Sequence, residues 1–251
     1  MAEIRIGILG AAGRMGRMLI REVTERDGVH LAAAADMAGH SCIGEDAGSM
    51  AGLAPLGVAV TEANAAFFEA SDVAIDFTLP GATEAHAKLA AETKTPLVLG
   101  TTGLAAAQEQ AVAAAAARVA IVQAPNMSLA VNLLFALARR AAGALDAAYD
   151  VAVSEIHHHH KLDAPSGTAL ALRDAAVAGG RTEEEIAMAS IRAGDVVGEH
   201  TILFAGAGER LELTHKATSR EVFARGAVHA ARWAAGQPPG LYAMADVLGL
   251  D

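Results

Sequence analysis

Five short apolar runs punctuate the first half of the chain: IRIGILG (4–10), HLAAAAD (30–36), VAIDFT (73–78), PLVLGTT (96–102) and VAIVQAPN (119–126). Between most of them the apolar positions recur at helical spacing, over 14–26, 81–94 and 105–117. A sheet wet on one face alternates apolar and polar residues, whereas parallel strands covered by helices on both sides read as unbroken apolar runs. The rhythm therefore predicts an α/β fold, with an N-terminal Rossmann-like, doubly wound parallel sheet over residues 1–125.

The pattern changes after Asn126. A long helical stretch (128–145) precedes a strand (149–158), a helix opening at Ser166, and strand patterns near 188–193 and over 199–215. Runs of strands beside helices, without strict alternation, predict an α+β domain with a mixed sheet over 126–215. The segment 219–236 carries Val222, Phe223, Val228 and Trp233 as a rough helical stripe suited to packing on a sheet. It is expected to return to the first domain, so that 216–251 complete it.

Composition narrows the function classes. At 251 residues with 53% apolar and 19% charged residues, the chain has ample material for a buried core and too much apolar content for disorder. A formal charge of −10 argues against nucleic acid, which is held by clustered Lys and Arg. An anionic substrate would need a local basic pocket. The single cysteine, Cys42, has no partner for an internal disulfide, and MAEIRIGILG lacks the basic-then-apolar pattern of a secretory signal, so the expected compartment is the cytoplasm. No apolar run approaches the roughly 18 residues that span a bilayer, and membrane insertion is not expected.

The turn GILGAAGRMG places Gly10, Gly13 and Gly16 between a strand and a helix. Such a turn lets backbone amides approach a pyrophosphate at the positive end of the helix dipole. A strict G-x-G-x-x-G would need glycine at 12 and 15, where Ala12 and Met15 stand. Asp36, closing the second strand twenty residues after Gly16, is placed to accept hydrogen bonds from an adenosine ribose. Strands of an open parallel sheet bind ligands beyond their carboxyl ends, which brings Thr101, Thr102 and Asn126 to the same crevice. The plainer reading of two of these segments is helix capping, with Thr102 starting a helix at 104 and Ser128 starting the next.

The stretch SEIHHHHKLDAPSGTAL (154–170) holds four consecutive histidines. An internal run between a strand and a helix start is encoded protein, not an added tag. On a strand, His157 and His159 would face one side, His158 and His160 the other, so the four cannot share one task. No HExxH or Cys–His set accompanies them, and a metal is not expected. Lys161 offers a fixed cation and proton source, and Ser166, Gly167 and Thr168 open a helix whose first amides and hydroxyls can meet a carboxylate. Imidazole, ammonium and a helix start together make a pocket for a small di-anion, within which histidine can also transfer a proton.

These residues, with DFT (76–78), GTTG (100–103), APNMS (124–128) and GEHTILFAGAGERLELTHKATSR (198–220), resemble the dihydrodipicolinate (4-hydroxy-tetrahydrodipicolinate) reductase family over nearly the whole chain. The resemblance implies NADH- or NADPH-dependent reduction of a cyclic imine dicarboxylate on the diaminopimelate route to lysine. It implies that His157 is the catalytic acid/base and Lys161 the proton donor, with His158, Ser166, Gly167 and Thr168 holding the substrate carboxylates. Cofactor would lie against Gly10, Ala11, Ala12, Gly13, Arg14, Met15, Asp36, Gly100, Thr101, Thr102, Ala124, Pro125, Asn126 and Met127. The second domain would bind substrate and build a homotetramer by pairing its sheets, and the two domains would close on the substrate. Met37 stands where relatives that use NADPH well often carry Arg, and Asp36 repels a 2′-phosphate, so use of both cofactors with NADH at least equal is expected; Arg14 could still reach that phosphate.

Two other readings account for the first half equally well. One is an aspartate dehydrogenase-like enzyme acting on amino or imino acids, against which the Lys161–Ser166 segment weighs. The other is a dinucleotide-sensing module without turnover, for which a lysine beside His157 has no use.

Overall fold

Parallel strands that are apolar at nearly every position need cover on both faces, and the chain supplies it by alternating them with helices. The computed structural model describes residues 3–250. Its first part runs β1 (Ile4–Leu9), α1 (Arg14–Glu25), β2 (Val29–Asp36), α2 (Ala47–Met50), β3 (Val60–Glu62), α3 (Ala65–Glu69), β4 (Val73–Asp76), α4 (Pro80–Thr93), β5 (Leu97–Leu99), α5 (Ala106–Ala116) and β6 (Ala120–Gln123). The second part contributes α6 (Leu129–Ala144), β7 (Asp150–His157), α7 (Gly167–Ala178), β8 (Ile186–Arg192), β9 (Gly198–Gly206) and β10 (Glu209–Ala217). The chain ends with α8 (Glu221–Ala234), β11 (Gly240–Tyr242) and α9 (Met244–Leu248).

Two compact units result. One takes the chain up to Met127 and again Phe223–Val247, and the other takes Ser128–Val222 with the residues from Leu248 onward. The element pattern puts the crossings after residues 125 and 215; they fall after Met127 and Val222, and the residues from Leu248 onward group with the second unit instead of the first.

The first unit holds a seven-stranded sheet, all parallel, ordered β11-β6-β5-β4-β1-β2-β3. Strand order reverses between β1 and β4, the switch point at which such sheets bind ligands. Ile6, Ile8, Leu9, Val73, Ile75, Leu97, Leu99 and Ile121 are buried along these strands. Three elements between residues 47 and 69, together with β11 and α9, were absent from the sequence-based reading. Each spans only three to five residues, too few to show a period, and β3 is an edge strand with one buried residue. Thr102 does not cap the next helix: α5 begins at Ala106, and the amide of Ala105 donates to Gln108 Oε1 at 2.6 Å.

The second unit holds a mixed sheet ordered β10-β9-β7-β8, with β7 and β8 parallel and the other neighbours antiparallel. Leu134 and Ala138 of α6 and Ala169, Leu172 and Ala176 of α7 pack on Val151, Val153, Ile202 and Phe204, which all point to one face. The run 199–215 is a hairpin of β9 and β10, turning at Gly208 with φ +86°. Ser128 caps α6, accepting the amide of Val131 at 3.4 Å.

Candidate active site

In the first unit, Gly10 takes φ +73° at the end of β1, and its carbonyl accepts the amide of Gly13 at 3.0 Å. This tight turn launches α1 from Gly13, with no side-chain cap and no acidic residue in the first turn. The amides of Arg14, Met15 and Gly16 precede any intrahelical partner, which leaves a positive, donor-rich end. Gly16 is buried because α1 crosses directly over Gly10 and Ala11. Asp36 closes β2 and ties the turn to it: its carboxylate accepts the amides of Ala12 and Met37, each at 2.8 Å. Ala11 adds a backbone bond to Ala35 at 3.0 Å. Arg14 and Met37 are exposed beside this corner.

The carboxyl ends of β4, β5 and β6 carry the remaining expected positions. Asp76 is fully buried and accepts from the Thr78 amide at 2.8 Å, the Thr78 hydroxyl at 2.6 Å and the Thr101 hydroxyl at 3.4 Å. Its other oxygen meets His86 Nδ1 at 2.7 Å. The Phe77 ring lies against Gly100, where a β-carbon would overlap it. Thr102 and Pro125 are exposed, Ala124 and Met127 are buried, and Asn126 is half-buried. Thus Gly10–Met15, Asp36, Gly100–Thr102 and Ala124–Met127 all sit at one end of one parallel sheet, a donor-rich turn with an acid beside it that fits a dinucleotide. The Asp76–His86 pair was missed; Asp76 lies within the quoted DFT, but nothing in the spacing links it to His86.

In the second unit, His157 is the last residue of β7 and is 7% exposed. The strand stops there, so the predicted in–out alternation does not extend through the histidine run. His159 and His160 lie in a turn and are exposed, and His158 is half-buried. Backbone bonds hold the turn: the His158 amide donates to Val196 O at 2.7 Å, that of His159 to Gly194 O at 3.2 Å, and that of Lys161 to His158 O at 3.1 Å. Lys161 Nζ lies 2.8 Å from Asp163 Oδ1, and this pairing leads the effects that hold the Asp163 carboxyl below its usual range. Ser166 is buried and caps α7 through the Ala169 amide at 3.2 Å, with Gly167 exposed at the helix start and Thr168 half-buried behind it.

The residues behind His157 were missed by the sequence reading. Its Nδ1 is bonded to Oε2 of Glu155, two positions back on the same face of β7 and 1% exposed. Oε1 of Glu155 accepts from Arg192 at 2.8 Å. Burial raises the Glu155 pKa, but the bonds from Arg192, Ser190 and His157 outweigh it and hold the carboxyl below its ordinary value. His157 is moved the other way: burial lowers its pKa, and the Glu155 carboxylate offsets part of that loss. The His200 ring meets that of His157 edge-on, centroids 5.0 Å apart, and its Nε2 lies 3.2 Å from Ser166 Oγ. Burial, then the neighbouring His157, pushes His200 down to about 4. Glu155, His157 and His200 bring donor atoms within 4.8 Å of one another, the one such trio among the described residues. The Glu155 carboxylate of that trio is already paired with the Arg192 guanidinium through Oε1 and with His157 through Oε2.

Amides arrayed to hold a pyrophosphate on one sheet, and proton-handling groups beside a helix start on another, divide the labour of an NAD(P)-dependent oxidoreductase acting on a small anionic substrate. The family profile described as dihydrodipicolinate reductase, N-terminus, matches residues 4–127, and that described as its C-terminus matches 130–248. The chain belongs to the dihydrodipicolinate reductase family. It is 53% identical to the 4-hydroxy-tetrahydrodipicolinate reductase of Alkalilimnicola ehrlichii, covering 98% of this chain and 99% of that one, and 50% identical to that of Halorhodospira halophila, covering 99% and 100%. A dipicolinate-bound dihydrodipicolinate reductase from Paenisporosarcina sp. TG-14 superposes with TM-score 0.79 at 25% identity, over 96% of this chain and 97% of that structure. The activity is NAD(P)H-dependent reduction of 4-hydroxy-tetrahydrodipicolinate, with loss of water, in lysine biosynthesis. The match over the whole chain sets aside the aspartate dehydrogenase-like and sensing alternatives. No helix among the described residues is long and apolar enough to cross a membrane.

Proposed function

We propose that the cluster at the end of β7 and the start of α7 grips the two carboxylates of the substrate ring and delivers the proton that completes its reduction. His158, Ser166, Gly167 and Thr168 hold the carboxylates, Lys161 is the proton donor, and His157 is the acid/base partner. The observation that carries this reading is local: a buried histidine anchored to Glu155, a cationic lysine at 161 and the amide end of a twelve-residue helix opening at Gly167 all belong to one strand–turn–helix. An overall charge of −10 makes such a basic pocket necessary for a di-anion.

Gly10–Met15, Asp36, Gly100–Thr102 and Ala124–Met127 would hold NADH or NADPH, which would supply the hydride for ring carbon C4. Loss of the C4 hydroxyl together with a ring proton as water leaves a conjugated imine, and hydride addition at C4 then pushes electron density toward the ring nitrogen. Lys161 and His157 hold the protons that neutralise it. Pinning both carboxylates keeps the ring from rotating, and positioning of this kind contributes up to about 7–11 kcal/mol. NADH serves at least as well as NADPH, since Asp36 carries negative charge to the ribose corner and Met37 offers no cation there.

The assembly is a cytoplasmic homotetramer. Support comes from the face of the mixed sheet that α6 and α7 leave uncovered, where Ala152, Ile156, Leu203 and Ala205 stand among Ser154, Thr201, Asp150 and Glu199. A lone cysteine is in keeping with a reducing compartment.

Consumption of NAD(P)H with freshly prepared substrate tests the roles directly. Lys161→Ala should lower kcat by roughly 100-fold or more while leaving the protein folded. Turnover at the unmodified rate in that variant would refute the assignment.

A further inference from the structure

One side chain is bonded both to the carboxylate behind His157 and to the backbone that carries Lys161. Arg192 closes β8 directly beside His157, its register partner on β7. From there its guanidinium donates to Glu155 Oε1 at 2.8 Å, to the carbonyl of Asp163 at 2.5 Å and to the carbonyl of Lys161 at 3.3 Å. The first contact acts on His157 through Glu155, and the other two fix the backbone that carries Lys161. A planar fork with five donors can serve separate acceptors at once, which an ammonium cannot do with the same geometry.

The other boundaries of the His157 ring are equally defined. Glu155 takes Nδ1, so Nε2 is the nitrogen available for chemistry. His200, opposite Glu155 on β9, presses the ring edge-on. Gly198 lies beside Nε2, where a β-carbon would come within 3.0 Å of that atom. The charged and titratable groups around the pair are Arg192 on β8, His200 on β9 with His215 behind it on β10, and Lys161 in the loop. A carboxylate fully enclosed in protein has little reason to be there unless its partners require it, because burying a charge costs several kcal/mol unless it is paired.

We propose that Arg192 and Glu155 form a single positioning unit that sets the tautomer and orientation of His157 and, through the same guanidinium, the place of Lys161. This rests on the reading of His157 and Lys161 as the proton-handling pair. Neither Arg192 nor Glu155 needs to touch substrate. Their effect is to hold two groups on different segments in one register, where displacement by an ångström costs on the order of 100-fold in rate.

The test compares His157→Gln, Glu155→Gln and Arg192→Lys in the full chain. Glu155→Gln keeps the shape but removes the charge that favours protonated His157. The pH limb of kcat assigned to His157 should therefore move to lower pH by about one unit or more, with kcat down on the order of 100-fold and the KM for NADH unchanged. Arg192→Lys keeps the charge and loses the fork, so kcat should fall while thermal stability changes far less. In the unaltered protein, proton NMR should show a far-downfield His157 Nδ1–H resonance that His157→Gln abolishes. An unmoved pH limb and normal kcat in Glu155→Gln, or no such resonance in the folded wild type, overturns the inference. Full activity in His157→Gln would instead overturn the underlying assignment of His157.

Discussion

Gly16, in the first turn of α1, lies against the carbonyl of Gly10: a β-carbon at position 16 would overlap that oxygen and stand 2.7 Å from Cα of Ala11. The third glycine of the turn is thus required by contact between helix and strand, a demand that a sequence match alone cannot distinguish from phosphate binding. Gly16→Ala should shift α1 away from β1, costing about 1–3 kcal/mol and weakening NADH binding together with stability. Thermal melts with and without NADH check this; an unaltered melting temperature would contradict it.

The buried imidazole of His200 makes stability fall with acid. Its folded-state pKa, about 4, lies below its unfolded value of 6.5, so the unfolded chain binds the proton more readily. His200 therefore contributes fully above about pH 6.5, and its contribution is lost as the pH falls from there towards 4. Between pH 7 and 5 the loss is on the order of 2 kcal/mol, and the lowered His157, His158, His215 and His229 act with the same sign. Urea unfolding at the two pH values should show the drop, reduced in His200→Gln. A flat profile would be inconsistent with a neutral His200.

Cofactor choice should follow the corner at Asp36. Met37→Arg places a cation beside the ribose site and should raise kcat/KM for NADPH relative to NADH, whereas Arg14→Ala should lower it. In the unaltered enzyme, steady-state assays should give NADH at least parity. A strong NADPH preference would contradict the role given to Asp36.

The open face of the mixed sheet should be a subunit contact. Leu203→Glu puts a charge on that face opposite Ala152, its register partner on β7, and should dissociate the assembly in sedimentation runs, from roughly four times 25.5 kDa to smaller particles. A wild-type particle of one protomer would remove this interface from the account.

The parallel sheet was legible because βαβ units repeat two unmistakable signals: apolar runs such as 73–76 and 97–99, and helical spacing between them. The short elements of residues 47–69 left no such signal. The histidine–lysine–helix segment could likewise be read as an anion pocket, since all its parts are neighbours in sequence. Glu155 was within reach of the same logic, two residues before His157 on an alternating strand. Arg192 was not, because its bonds to Glu155, Lys161 and Asp163 exist only once β8 lies parallel to β7. Asp163 shows the same limit: adjacency suggested nothing, and its ion pair with Lys161 depends on how the turn folds.

The central claim is that a di-anionic ring is held by the end of β7, the lysine turn and the start of α7. A crystal structure with NADH and pyridine-2,6-dicarboxylate measures it most directly. The dicarboxylate should lie against residues 157–168, one carboxylate on the amides of Gly167 and Thr168 and the other near His158 and Lys161. A well-ordered dicarboxylate bound elsewhere, with that segment free of ligand, would contradict it.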